Sequence, residues 1–401
     1  MDPELRARFN AAYDERFYPR YVARLEERLG CKIPFRVAET PLFLPAQLRE
    51  RLATSAREII AAISDPALIE KMKRAIPPEL DVPGMDALPS CVQVDFAITR
   101  APDGGLEGKV VELQAFPSLY ALMVVQSDVL GERLAEMPGM PQAWSIYFAG
   151  DRQRFIEHLR RAVVAGEDPA EVVLLDLDPP AQKTYPDFAA TKQLIGVDAI
   201  CPTELVKEGR RLYRDVGGKR VPVRRIYNRI VFDELAVKGV PLPFSYRDDL
   251  DVSWCSHPNW YWTWSKYTLP SIDHPAVPRA RRLGDLERVP EDLSRYVLKP
   301  LFSFAGSGVK VDVTPDDLAG VPEAERDNWL LQEKIVYEPA LRMPDGEGVK
   351  GEVRMMFLRA PEEPAPTLVL PLVRLSRGKM IGVDHNRDLA WTGGSVGIWP
   401  A

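Results

Sequence analysis

Chemistry is most plausible at a strand lysine followed by a run of small residues. The stretch YVLKPLFSFAGSGVKVDV, Tyr296 to Val313, is an apolar run ending in Lys299, then Pro300, then a loop with Gly306, Ser307 and Gly308, then Val309–Val313 in alternation. This pattern predicts a β-hairpin whose turn is a flexible loop of small residues. Small residues let backbone N–H groups come close to an anion, and a strand lysine adds a fixed positive charge, so together they suit a nucleotide's phosphates. Alone, the same segment fits an ordinary Gly-rich hairpin with a surface lysine. Upstream, Lys266 in SKYTLP could sit over the same phosphates.

A second group lies on CVQVDFAITR and VVELQAF, two alternating runs joined by APDGGLEGK. They read as paired strands carrying Asp95, Glu112 and Gln114, the last two on one face because they are two residues apart. A carboxylate among apolar residues is costly unless it is paired or holds a metal, and Mg²⁺ prefers such oxygen donors together with phosphates. The solvent-facing side of a hairpin would explain the same residues. Ser118 stands near the start of a helix over Pro117–Ala135, where it caps the helix or binds an anion.

Further on, Trp329–Val336 reads as a strand whose later half is Gln332, Glu333, Lys334 and Ile335; leading into a linker, its backbone groups can read an adenine edge. Residues 351–359 and 367–378 are further strands, the first with Glu352 and Arg354, the second with Arg374 and Arg377. These arginines suit an anionic carboxylate or peptide, or surface ion pairs. The four cysteines form no CxxC pair, and the four histidines (His158, His257, His274, His385) show no HExxH spacing, so neither a disulfide framework nor a zinc-hydrolase site is expected.

The elements that must position these residues follow from periodicity. Residues 3–30 and 45–75 carry apolar side chains at helical spacing, including Leu48, Leu52, Ile59, Ile60 and Ile63. EVVLLD at 171–176, a helix near Asp187–Leu194 and a strand near Val197–Ile200 have the rhythm of a small doubly wound subdomain, continued by VRRIYNRIVFDEL and lacking GxGxxG. A proline- and aromatic-rich connection spans 237–264, PRARRLGDL looks helix-like, and the end, WTGGSVGIWPA, reads as a packed Gly-rich loop. Three segments result: 1–165 with the N-terminal helices and the acidic hairpin, 166–250 as the small α/β subdomain, and 251–401 as the nucleotide-binding region.

At 401 residues the chain can bury a substantial core, and 46% hydrophobic with 27% charged residues describes a soluble globular protein. A net charge of −6 gives no general attraction to nucleic acid or anionic membrane. No apolar run has the roughly 20 residues of a membrane span, and the polar N-terminus is not signal-like, so a cytoplasmic location is expected.

The ordered set of motifs resembles the permuted branch of the ATP-grasp superfamily, represented by eukaryotic glutathione synthetase and the synthetase domain of glutathionylspermidine synthase. The carriers are the Asp95 hairpin with E-x-Q at 112–114, SKYTLP, VLKP with its Gly loop, LLQEKI, GEVRMMF and the late arginine strand with a terminal GG loop. The resemblance implies an α/β (α+β) ATP-grasp fold whose antiparallel sheets form the nucleotide cleft, and a homodimer. It implies that Lys266 and Lys299 contact ATP phosphates under a lid containing Gly306–Gly308. Glu333, Lys334 and Ile335 would form the adenine hinge beside Gln332, with Glu352 near the ribose or base. Asp95, Glu112 and Gln114 would hold Mg²⁺, while Ser118, Arg374 and Gly393–Gly394 would lie near the acceptor substrate. Gln114 stands where the family has Asn, and the loop LFSFAGSG lacks the family's carboxylate.

The expected activity is ATP-dependent ligation of a small acid or peptide carboxylate to an amine or thiol through an acylphosphate, with Lys299 and Arg374 at the reacting groups. Such chemistry needs no protein nucleophile. A degenerate nucleotide- or peptide-binding protein, and phosphoryl transfer to a small molecule, are the competing readings.

Overall fold

The computed structural model describes the chain apart from residues 233, 234, 236, 237, 303–307, 379, 380, 382–385 and 387. Gly306, Ser307 and His385 lie outside the described residues. Helical spacing near the N-terminus yields the helices Pro3–Ala12, Phe17–Leu29, Ala46–Ile63 and Pro66–Met72. On Ala46–Ile63 the five apolar positions singled out by periodicity are all buried, against the strands Leu106–Gln114 and Gly348–Leu358. Each such side chain stabilises the fold by about 1.5–3 kcal/mol relative to exposure.

Among the described residues, the largest sheet has eight strands. Its main path runs Leu42–Phe43, Gly393–Pro400, Thr367–Ser376, Gly348–Leu358, Cys91–Arg100 and Leu106–Gln114. All neighbours on this path are antiparallel except the first pair. One sheet thus takes strands from both ends of the chain, and the segments 1–165 and 251–401 share a core. A second sheet is wholly parallel, in the order Ser253–Cys255, Arg225–Asn228, Val172–Leu175 and Asp198–Ile200, with the helix Tyr185–Ile195 crossing between the last two. The strand–helix–strand rhythm is therefore present, and its sheet extends beyond residue 250. The aromatic connection fills a core beside it, where Phe232 stacks on Trp262 and Tyr246 on Trp254.

A third, three-stranded antiparallel sheet is built from Ala280–Arg282, Trp329–Glu333 and Tyr296–Pro300. Here three expectations change. Val309–Val313 is not a strand; it meets Tyr296–Pro300 only at one bridge, Leu298 with Lys310. The partner is Trp329–Glu333 instead, paired along the whole of Tyr296–Pro300; Leu298 and Leu331 bury together with Leu283, Leu293 and Leu318, and Val313 joins the same cluster without extending the sheet. PRARRLGDL is likewise an edge strand followed by a short 3₁₀ turn, its arginines suited to an exposed edge. The C-terminal residues form the strand Gly393–Pro400 rather than a loop, and Trp391 packs against Phe9 and Tyr13.

Candidate functional site

A cavity of about 430 Å³ opens between the large sheet and the three-stranded sheet. Glu112, Glu352 and Arg374 reach it from the large sheet, and Lys299 from the smaller one. Lys266 joins them from the turn Lys266–Ser271. Gln332, Glu333, Lys334 and Ile335 form a further wall. A larger cleft of about 880 Å³ lies beyond that wall; in it Arg100 pairs with Glu338 and His274 with Glu58.

Lys299 is 8% exposed, and its Nζ donates to the Val111 carbonyl at 3.0 Å, tying one sheet to the other. Burial pushes its ammonium down to about 8; Glu112 and Glu352 pull it back up, while the Lys266 ammonium adds to the fall. Lys266 is 7% exposed, with its Nζ 3.5 Å from the Leu301 carbonyl. Two buried ammonium groups acting on one another are costly in a low-dielectric setting and favour an anion between them. Along the wall, Gln332 Nε2 donates to the Val110 carbonyl while its buried Oε1 accepts nothing among the described residues. The backbone N–H groups of Glu333 and Lys334 already donate to the carbonyls of Arg279 and Arg295, which leaves the carbonyls and Ile335 for a ligand.

The floor is a row of charges set by strand register. Asp95 faces Arg354 across one pair of strands and Glu112 across the other, and Glu352 faces Arg374. Opposed side chains in antiparallel strands stand about 4.5–5.5 Å apart at Cβ, so these positions meet. Arg354 Nε and Nη2 grip the two Asp95 oxygens at 2.6 and 2.7 Å, and Arg374 Nη2 joins Asp95 and, at 2.9 Å, Glu352. Burial raises the Asp95 carboxyl, and the two arginines more than offset this, holding it below the usual carboxylate range. Glu352 is different. Burial, helped by Asp95 and Glu112, keeps its carboxyl above the ordinary value despite Arg374, and it accepts a 2.6 Å hydrogen bond from Tyr337 Oη.

The three side chains expected to hold Mg²⁺ do come together, but around a guanidinium. Asp95 is fully buried and has both oxygens on arginines. With its amide oriented to satisfy both groups, the Gln114 oxygen accepts from Arg354 Nη1 at 3.1 Å and Nη2 at 2.6 Å. Glu112 Oε1 lies 3.7 Å from the same Nη2. Mg²⁺ requires near-octahedral oxygen donors at about 2.0–2.1 Å, and donors turned onto a cation already in their midst do not supply them. Among the described residues no three His, Cys, Asp or Glu side chains group to hold a metal.

The expected acceptor residues divide. Arg374 lines the cavity, while Ser118, Gly393 and Gly394 are engaged elsewhere. The helix Tyr120–Ala135 begins two residues after Ser118, and its first amides are taken by Asp187, whose carboxylate accepts from the N–H groups of Leu119, Ala121 and Leu122. Arg229 pairs with that same carboxylate, so the helix end is filled by an internal anion, and the Ser118 carbonyl accepts from Gln93. Gly393 has φ +114° and lets the chain pass against Arg36, whose carbonyl accepts from the Gly394 N–H; a Cβ there would stand 2.2 Å from that oxygen. Gly308, with φ +73°, turns the chain against Pro300 and does not line the cavity.

Sequence reasoning groups Arg354 with Arg374 and Arg377 as suited to an anionic ligand or surface ion pairs, does not set it against Asp95, and gives no site role to Tyr337 or Asp187. Arg354 follows Glu352 by two and therefore shares its face, a visible signal. Its pairing with Asp95 depends on strands far apart in the chain and was not visible.

No family model matches the sequence, and no curated protein does. Among solved structures, the chain is similar to the apo form of a glutathione synthetase-like effector, GSS30, from Globodera pallida. The TM-score is 0.59 at 12% identity, over 93% of this chain and 96% of that one. The fold is therefore a mixed α/β, glutathione synthetase-like fold. In addition, no described helix is long and apolar enough to cross a membrane.

Proposed function

We propose that the cavity between the two sheets binds ATP, and that the protein is an ATP-grasp ligase joining a small carboxylate or peptide to an amine. The observation that carries this reading is the meeting of Lys266 and Lys299 with the Gln332–Ile335 wall in one cavity, although about 65 residues separate the first lysine from that wall. In this reading the two lysines hold the phosphates and the wall holds the base, with Gln332 Oε1 open to an amino donor. Arg374 lies where a carboxylate could be turned toward the phosphates. Phosphate transferred to that carboxylate would leave as the amine attacks the acyl carbon. The protein's part is positioning and charge stabilisation. ADP release assayed over mixtures of small acids and amines tests this: the wild type turns over with at least one pair, and Lys299→Ala loses about 10²-fold or more while remaining folded. Turnover unchanged in Lys299→Ala would reject the phosphate role.

A second reading, nucleotide or peptide binding without ligation, is favoured by one observation, the guanidinium among the expected metal donors. Binding of ATP without ADP release in any acceptor mixture would select it. Location in the cytoplasm and a homodimeric state belong to the ligase reading and are tested by fractionation and by light scattering.

A further inference from the structure

We propose that Arg354 holds the place of a divalent cation in this site, so that the site takes its polyphosphate ligand without Mg²⁺. The inference rests on the nucleotide reading for its ligand, but its claim about the cation stands on the arginine's own contacts. Three oxygen-bearing side chains, Asp95, Glu112 and Gln114, converge from two adjacent strands. Arg354 fills the space between them, 7% exposed, with a bidentate grip on Asp95, two bonds to the Gln114 oxygen and a longer approach to Glu112. A divalent cation in that place would have to displace a planar guanidinium from a carboxylate that is itself buried, and the buried Arg354 charge would be left without its carboxylate partner. Bidentate guanidinium–carboxylate pairing is among the strongest charge-assisted arrangements, so the replacement is not a loose one.

The arginine also does for the acids what a metal would do. It neutralises Asp95 and, through that carboxylate, orients Arg374, whose Nη2 reaches on to Glu352 at the cavity wall. Lys266, Lys299 and Arg374 then supply positive charge facing the cavity, as fixed groups rather than as a bound ion. The Gly loop, LFSFAGSG, contains no acid that could complete a metal shell.

Two measurements on the wild-type chain decide the point. In the first, Mn²⁺ alone is titrated and followed by electron paramagnetic resonance. No stoichiometric site is expected, and a site that is lost in Glu112→Gln would overturn the inference. In the second, ATP is titrated calorimetrically in EDTA and in Mg²⁺, with affinities expected to agree within about twofold. Binding tighter by about tenfold or more with Mg²⁺ overturns the inference and leaves the nucleotide reading intact. No ATP binding under either condition removes the nucleotide reading, and the Mn²⁺ titration still judges the arginine. Arg354→Met is expected to create a Mn²⁺ site, and Arg354→Lys, which keeps a charge, is not; a folded Arg354→Met chain that binds no Mn²⁺ contradicts the claim that the guanidinium keeps the metal out.

Discussion

A lysine ammonium held away from water is stable only if nearby charge or hydrogen bonding compensates it, and at Lys299 the compensation is partial. Its depressed value has a definite sign in the pH dependence. An anion favours the charged form, so affinity for ATP should be level below about pH 8 and fall as pH rises above it, with a proton taken up on binding in that upper range. Calorimetry at about pH 8.5 in two buffers of different ionisation enthalpy measures that uptake; its absence would mean that Lys299 does not meet the ligand. The sign for stability without ligand is opposite. Because the folded value lies below the unfolded one, the cost of the buried charge is fully present below about 8 and is relieved between about 8 and 10.5. At Glu352 the Tyr337 hydroxyl is the neutral donor, and Tyr337→Phe should weaken ATP binding only modestly, by about 1 kcal/mol, because Arg374 still holds the carboxylate. A loss above about 3 kcal/mol would make Tyr337 a direct ligand contact instead.

At the scale of elements, register decides which charges meet and helix ends decide where anions do not bind. Asp187 lies at the N-terminus of Tyr120–Ala135, accepting from two of its amides and from the Leu119 N–H just before it, and pairing with the buried Arg229 at 2.7 Å. Asp187→Ala should lower stability by about 3–5 kcal/mol in urea unfolding, because it leaves a buried guanidinium unpaired and a helix end uncapped. A change under 1 kcal/mol would show the cap to be redundant. Gly393→Ala should cost about 1–3 kcal/mol, since the strand there requires φ +114° and a close approach to Arg36. The local elements were readable where one rule governs them: the N-terminal helices from apolar spacing, the acidic hairpin from alternation, and the strand–helix–strand unit from its rhythm. They were misread where two rules compete. Val309–Val313 alternates like a strand, but Tyr296–Pro300 pairs along its whole length with Trp329–Glu333 and meets this segment only at the Leu298–Lys310 bridge. The terminal GG pair looks like a loop, but its glycines allow a strand to pass tightly along residues 36–38.

For the whole molecule, the large sheet is what brings the site together. It carries Glu112 from the early hairpin and Glu352 and Arg374 from the late strands, and the small sheet brings Lys299 and Gln332–Ile335 to face them. Half of the cavity wall was legible in the sequence because lysines, carboxylates and a strand leading into a linker mark themselves by type, whereas none of the small residues singled out lines it among the described residues. The Arg354–Asp95 pair was not, because the two partners lie 259 residues apart and only the assembled sheet sets them opposite one another. A crystal structure with a non-hydrolysable ATP analogue is the decisive test of a nucleotide site between the two sheets. The base should lie along Gln332–Ile335, with the phosphates between Lys266 and Lys299. An analogue found elsewhere, or a cavity filled by packed side chains under saturating ligand, would contradict the account.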